Sequence, residues 1–164
     1  MEKRYASLNG RIIALAPYGF RNGREDGCML LATVEIEAGN IVNFTINAST
    51  YVVDFTTLAV GMRCTFWYRT DVPMILIYPP QYTATVVAVI RERRSVDVSF
   101  YDSRLLNEDG TLQLNLSRQT RVLTVNNQSF QGNPANHDLV VIYDFSTRSI
   151  PAQTTPREVV VLCD

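Results

Sequence analysis

Apolar and polar residues alternate along most of this 164-residue chain. A period of two places successive side chains on opposite faces of a β-strand, so it predicts strands with one buried face. Residues 55–61 could form at most one helical turn, and no longer stretch has the spacing of an amphipathic helix. The pattern therefore predicts an all-β protein with strand segments at 5–15, 28–36, 41–53, 62–69, 83–90, 95–101, around Leu105, and at 111–124, 139–145 and 158–163.

Two stretches of the first half recur in the second half. VNFTINASTYV (42–52) aligns without gaps with LQLNLSRQTRV (112–122), so that Thr50 meets Thr120. YPPQYTATVVAVI (78–90) aligns in the same way with IPAQTTPREVVVL (150–162), so that Gln81 meets Gln153. The residue numbers differ by 70 in the first alignment and by 72 in the second. Two matches in the same order and at nearly the same offset indicate an internal duplication.

Each repeat contains five strand segments, which begin in the first repeat with a long strand bent at Gly10. A hairpin, a short connection and a second hairpin follow, and this order is typical of a five-stranded OB-like barrel. We therefore predict two tandem OB-like barrels, one at residues 1–92 and one at 93–164. The alternative is one continuous β-sandwich or barrel of about ten strands.

Three motifs carry a resemblance to a known family: IYPPQY, SIPAQTTP and NFTINASTYVVD. With them the chain resembles an uncharacterised family of β-rich bacterial proteins from Firmicutes, over most of its length. Some members of that family are joined to a domain similar to the N-terminal module of copper amine oxidases. The resemblance implies the β-rich architecture and implies no activity.

The charge balance bears on the class of partner. Fifteen Lys and Arg residues oppose sixteen Asp and Glu residues, which gives a net charge of −1. Because no basic field is available to attract phosphates, nucleic acid is not an expected partner. The chain has no apolar run of roughly 20 residues, so we expect no membrane association. Its first residues, MEKRYASLNG, lack the apolar core of a secretion signal, which predicts a cytoplasmic protein; the alternative is a secreted or cell-envelope protein whose leader was removed.

Residues capable of catalysis or metal binding are few. His137 is the only histidine, and the three cysteines form no CxxC pair. We expect Cys28, Cys64 and Cys163 to be buried free thiols, because each lies in an apolar, strand-like setting. The sequence contains no phosphate loop, dinucleotide fingerprint or nucleophile elbow. We therefore predict a protein that is not an enzyme and that has no cofactor or metal.

Two loops and one strand face are candidate binding surfaces. An OB-like barrel binds through strands 2 and 3 and the loops between strands 1–2 and 4–5, here residues 16–27 and 71–82. Aromatic and arginine side chains there could stack on a base, a sugar or a peptide, although the loop tyrosines could instead pack on the prolines. The tryptophan of strand 62–69 could stack a ligand or be buried between the repeats. The candidate ligand-binding residues are Tyr18, Phe20, Arg63, Trp67, Arg69, Tyr78 and Tyr82.

These features predict a non-catalytic binding or interaction module for a protein, peptide or glycan partner. The alternatives are a single-stranded nucleic-acid-binding protein and an uncharacterised enzyme. One structural expectation concerns the corner at Pro79 and Pro80, which lack amide hydrogens. We expect the Gln81 side chain to bond to main-chain groups that the prolines leave unpaired there.

Overall fold

The computed structural model describes residues 3–163, and within that range the protein is all-β. These residues contain no α-helix and one short 3₁₀ turn at Val53–Phe55. No helix in this range could span a membrane. The strands are β1 (Tyr5–Arg21), β2 (Arg24–Glu37), β3 (Asn40–Ile46), β4 (Tyr51–Val52), β5 (Arg63–Arg69), β6 (Gln81–Thr83), β7 (Val86–Val89), β8 (Ser95–Tyr101), β9 (Leu112–Leu114), β10 (Arg121–Thr124), β11 (His137–Tyr143), β12 (Ala152–Thr154) and β13 (Glu158–Leu162).

The chain divides into two compact units. The N-terminal unit is Tyr5–Ile90, and the C-terminal unit comprises residues 91–163 together with residues 3–4. Lys3 and Arg4 belong to the C-terminal unit because acidic side chains of that unit bind them. The Lys3 ammonium lies 3.2 Å from Asp109, and the Arg4 guanidinium lies 3.0 Å from Asp138.

One seven-stranded sheet forms the N-terminal unit, in the order β4-β7-β5-β1-β2-β3-β6. β1 is antiparallel to both β2 and β5, while β3 is parallel to β6 and β4 is parallel to β7. Only Ala84 and Thr85 separate β6 from β7. This single bent stretch therefore pairs with strands at both ends of the sheet.

The core of the N-terminal unit collects the apolar residues of alternating strand positions. Phe44 and Phe66 are fully buried and stack with their ring centroids 4.5 Å apart. Burying one such side chain contributes about 1.5–3 kcal/mol. Gly10 lets β1 approach β2 closely, since a Cβ there would lie 2.5 Å from Val34 Cγ1 and 2.7 Å from the Glu35 carbonyl oxygen.

The C-terminal unit contains a four-stranded sheet, β10-β13-β11-β8, and a separate parallel pair, β12-β9. The predicted segment around Leu105 is not a continuous strand. It makes isolated bridges instead, from Leu106 to Gln113 and from Asn107 to Tyr101. The predicted strand 111–124 is divided into β9 and β10, which belong to different sheets, whereas β8, β11 and β13 correspond to the predicted strands 95–101, 139–145 and 158–163.

Thr50 and Thr120, which meet in the alignment of the two halves, make the same contacts in their units. Thr50 Oγ1 donates to the Ala84 carbonyl oxygen at 2.7 Å, and Thr120 Oγ1 donates to the Pro156 carbonyl oxygen at 2.7 Å. Each hydroxyl also accepts a main-chain N–H from the residue three positions earlier. The two threonines therefore close equivalent turns.

Strand registers agree between the units in the same way. Asn43 lies opposite Gln81 in the β3–β6 pair, and Gln113 lies opposite Gln153 in the β9–β12 pair. These positions differ by 70 and 72, the offsets found in the sequence.

Residues 16–27 form a strand hairpin, so the prediction of an irregular loop there was wrong. β1 continues to Arg21 and β2 begins at Arg24. The intervening Asn22 and Gly23 have φ angles of 54° and 75°. Two consecutive positive φ angles match the right-handed twist of paired strands, and Asn-Gly is the sequence that adopts them most readily.

The prediction of three buried thiols was also wrong for two of them. Cys28 and Cys163 are exposed, and Cys64 is buried. Burial raises the pKa of the Cys64 thiol to about 11, so it stays protonated near neutral pH. Cys64 therefore acts as a small apolar core residue.

A partly buried carboxyl group, that of Asp97, lies beside the core of the C-terminal unit. Asp97 accepts hydrogen bonds from the hydroxyl of the fully buried Tyr101 and from Asn107 Nδ2. Burial raises the pKa of Asp97 and raises that of Tyr101 well above its ordinary value. Asp97 lies opposite the core residue Val141 of β11, and Leu8 of the N-terminal unit lies opposite the matching core residue Phe66 of β5. Asp97 therefore occupies the position that Leu8 has in the N-terminal unit.

Candidate functional site

A cavity of about 400 Å³ opens in the N-terminal unit where β5 and β6 separate. The end of β5 supplies Tyr68 and Arg69 to its lining. The connecting loop supplies residues 72–75, and the β6 side supplies residues 81–83 and Thr85. The cavity therefore lies beneath the loop that contains the paired prolines.

Aromatic rings form one wall of this cavity. Tyr68 and Tyr82 stack with their centroids 4.1 Å apart, and Phe44 lies 6.2 Å and 5.8 Å from them. Burial and the neighbouring Tyr82 raise the pKa of Tyr68, so its hydroxyl stays neutral. This wall offers a flat, uncharged surface suited to an apolar or planar group.

The Arg69 and Gln81 side chains at the rim are already paired. Arg69 donates to both carboxylate oxygens of Asp71, at 2.8 Å and 2.6 Å, and its guanidinium lies 5.3 Å from the Tyr5 ring centroid. Gln81 Nε2 donates to the Tyr18 hydroxyl at 3.0 Å. Because a carboxylate neutralises Arg69, the rim has little to attract an anionic ligand.

The structure brings together three of the predicted binding residues and separates the other four. Arg69 and Tyr82 line the cavity, and Tyr18 reaches it through Gln81. Phe20 and Tyr78 are exposed but do not line the cavity.

Arg63 and Trp67 project from β5 on the face opposite Tyr68. Alternation along the strand places them there, because Phe66 and Tyr68 face the core side. Arg63 is exposed, whereas the Trp67 side chain is 7% exposed. A ring this deeply buried has no free face for a ligand, so the suggestion that Trp67 stacks a ligand is not supported.

The hydrogen-bond partner that we expected for the Gln81 side chain was wrong. Its side chain donates to the Tyr18 hydroxyl and not to main-chain groups at the proline corner. The corner is instead closed by the Pro80 carbonyl oxygen, which accepts the Asn43 N–H at 2.9 Å. Main-chain pairing with β3 therefore stabilises the proline corner, which is the role that we expected of the Gln81 side chain.

Sequence reasoning identified the loop 71–82 as a candidate binding surface but missed Tyr68 and the apolar residues of that loop. Tyr68 follows the core alternation of β5, and that pattern gives no sign of a binding role. The loop contains an unbroken apolar run, and Ile75, Leu76 and Tyr78 in it are 65%, 94% and 89% exposed. An apolar run beside prolines, outside any strand, was the signal that could have identified this surface.

Residues 3–163 contain no group of three or more His, Cys, Asp or Glu side chains placed to hold a metal ion. No family model matches the chain, and no curated protein or solved structure is significantly similar to it.

Proposed function

We propose that the chain is a non-catalytic binding module made of two OB-like units, and that the cavity of the N-terminal unit holds its ligand. Strand pairing supports the OB-like assignment. In such a barrel the first strand pairs with the second and fourth, and the fifth pairs with the third and fourth. β1, β2, β3, β5 and the bent β6–β7 stretch make these pairs in the N-terminal unit.

The proposal includes an internal duplication. The equivalent contacts of Thr50 and Thr120 support it, as do the matching registers at Gln81 and Gln153.

The observation that carries the binding role is the exposed apolar loop beside the aromatic cavity. Residues 72–78 place large apolar side chains in contact with water. Contiguous exposed apolar surface of this kind typically marks an interaction site. Since Arg69 is neutralised by Asp71, the ligand that fits best is an uncharged, apolar part of a protein or peptide partner.

Selection of linear peptides from a displayed random library, using the full chain as target, tests this role. Ile75→Glu places a charge at the cavity lining, and Ile150→Glu is the matched control because Ile150 is 97% exposed in the corresponding loop of the other unit. We expect selected peptides rich in aliphatic or aromatic residues, with binding weakened about tenfold or more by Ile75→Glu, which is about 1.4 kcal/mol. Binding by the Ile150→Glu variant should be unchanged.

Equal effects of the two substitutions would contradict a role for the cavity. A panel of neutral oligosaccharides provides a parallel test. If neither peptides nor oligosaccharides shift the amide signals of residues 68–85 in two-dimensional NMR spectra, the binding role is wrong.

A further inference from the structure

β6 presents main-chain groups to the cavity. Pro80 and Ala84 bond to β3, through the Asn43 N–H and the Thr45 carbonyl oxygen, each at 2.9 Å. Successive residues of a strand direct their main-chain groups to opposite sides, so the N–H and C=O groups of Gln81 and Thr83 point away from β3. Among the described strands, β3 is the only hydrogen-bonded neighbour of β6. The outward groups of Gln81 and Thr83 therefore form an unpaired strand edge in the cavity wall.

The C-terminal unit fills the equivalent edge with its own chain. The Gln153 N–H donates to Thr147 Oγ1 at 2.9 Å, and the Gln153 carbonyl oxygen accepts the Thr147 N–H at 2.9 Å. Next to it, Thr154 Oγ1 donates to the Phe145 carbonyl oxygen at 2.6 Å. Residues 145–147 thus run beside β12 and pair with the main-chain groups of Gln153. The corresponding main-chain groups of Gln81 remain unpaired within the described part of the chain.

The lengths of the two connecting loops differ. Residues 144–151 join β11 to β12, whereas residues 70–80 join β5 to β6, three residues more. In the longer loop, residues 72–75 line the cavity and make no main-chain bond to Gln81 or Thr83. The N-terminal unit therefore keeps an aromatic cavity and an open edge where the C-terminal unit has a paired segment.

From this contrast we infer that the N-terminal unit binds an extended peptide segment of a partner protein as an added strand on β6. The inference rests on the proposed function and specifies its binding mode. Peptide residues two positions apart pair with Gln81 and Thr83, and an apolar side chain of the peptide enters the cavity against Tyr68 and Tyr82. Strand addition gains affinity from main-chain hydrogen bonds and selectivity from pockets for alternate side chains.

The Thr83→Pro substitution tests the edge from the protein side. Thr83→Pro removes the outward N–H and keeps the Tyr82 and Ala84 groups that face β3. Thr83→Val is the matched control, because both variants lose the hydrogen bond between Thr83 and Thr45 Oγ1. We expect peptides selected on the wild-type chain to bind the proline variant at least about tenfold more weakly than the valine variant. Similar affinities for both variants would overturn strand addition.

N-methylation of the peptide gives a test that does not depend on how the proline variant folds. A methyl group on each peptide nitrogen in turn removes one donor at a time. We expect weaker binding at alternate positions and unchanged binding between them. No dependence on position would overturn the strand mode, while continued loss of binding in Ile75→Glu would leave the cavity role intact.

Three further outcomes separate the inference from the proposed function. Selection of oligosaccharides but no linear peptide would overturn the inference and preserve a binding role. Sedimentation showing a dimer that Thr83→Pro dissociates would mean that a second copy covers β6, which also overturns it. If no ligand is found, both the inference and the proposed function are wrong.

Discussion

Asp97 is a partly buried carboxyl group of the C-terminal unit, and its titration predicts a dependence of stability on pH. Burial and the nearby Asp109 raise its pKa, and hydrogen bonds from Tyr101 and Asn107 and the charge of Lys3 partly oppose this. A folded-state pKa above the unfolded value of about 3.9 means that the folded protein holds the proton more tightly. The stabilisation is complete below that value and is lost as the pH rises through the folded-state pKa.

Asp97→Asn should remove this dependence, since an amide does not titrate. Measured by urea unfolding at several pH values from 4.5 to 7, the free energy of unfolding of the variant relative to wild type should increase with pH. A relative stability that stays constant or falls with pH would contradict the assignment.

Gln81 and Tyr18 should behave as a coupled pair because one hydrogen bond joins their side chains at 3.0 Å. Gln81→Ala and Tyr18→Phe each remove it, at a cost of about 0.5–1.5 kcal/mol. The double variant should cost less than the sum of the two single variants, by thermal or urea unfolding. Additive costs would show that the bond contributes nothing.

At the residue scale, the sequence predicts burial only where a strand is central to the sheet. The buried thiol was predicted correctly for Cys64, in the middle of the sheet, and wrongly for Cys28 and Cys163. The partner of Gln81 could not be predicted in this way, because Tyr18 lies 63 positions earlier in the chain and reaches it through the β1–β2 hairpin.

At the scale of elements, strands and their register were predictable, and the ends of strands were not. The ungapped alignments predicted that equivalent residues occupy equivalent registers. The β1–β2 hairpin was missed because exposed residues 16–27 lack a buried face, and only the Asn22-Gly23 turn indicates it. Alternation detects a strand only where one face is buried.

The paired threonines give a prediction at this scale. Thr50→Val and Thr120→Val each remove a hydroxyl that bonds two main-chain groups. Each substitution should cost about 1–3 kcal/mol of unfolding free energy, and the cost should be at least as large for Thr120, which is the more buried of the two. Urea unfolding of both variants checks this. If only one substitution is destabilising, the two turns are not equivalent.

For the whole molecule, composition and alternation were sufficient to predict an all-β protein, and this is confirmed. The arrangement as two OB-like barrels from a duplication stays a proposal. Which strand edge remains open could not be predicted, because it depends on whether a loop of 8 or 11 residues returns to pair with the adjacent strand.

The charge of the whole molecule predicts weak binding to nucleic acid. With a net charge of −1, few counterions would be released on contact with phosphates. Fluorescence anisotropy with a labelled single-stranded oligonucleotide should give no dissociation constant below about 10⁻⁶ M at physiological salt. A tighter affinity that falls steeply between 50 and 200 mM salt would favour nucleic-acid binding instead.

Hydrogen exchange at single amides tests the open edge of β6 most directly. The Gln153 amide, bonded to Thr147, and the Ala84 amide, bonded to Thr45, should exchange slowly in the free protein. The Gln81 and Thr83 amides should exchange fast in the same sample and become protected when a selected peptide is added. If Gln81 and Thr83 are protected as strongly as Gln153 in the free protein, the edge is already filled, and the account of a binding strand in the N-terminal unit is contradicted.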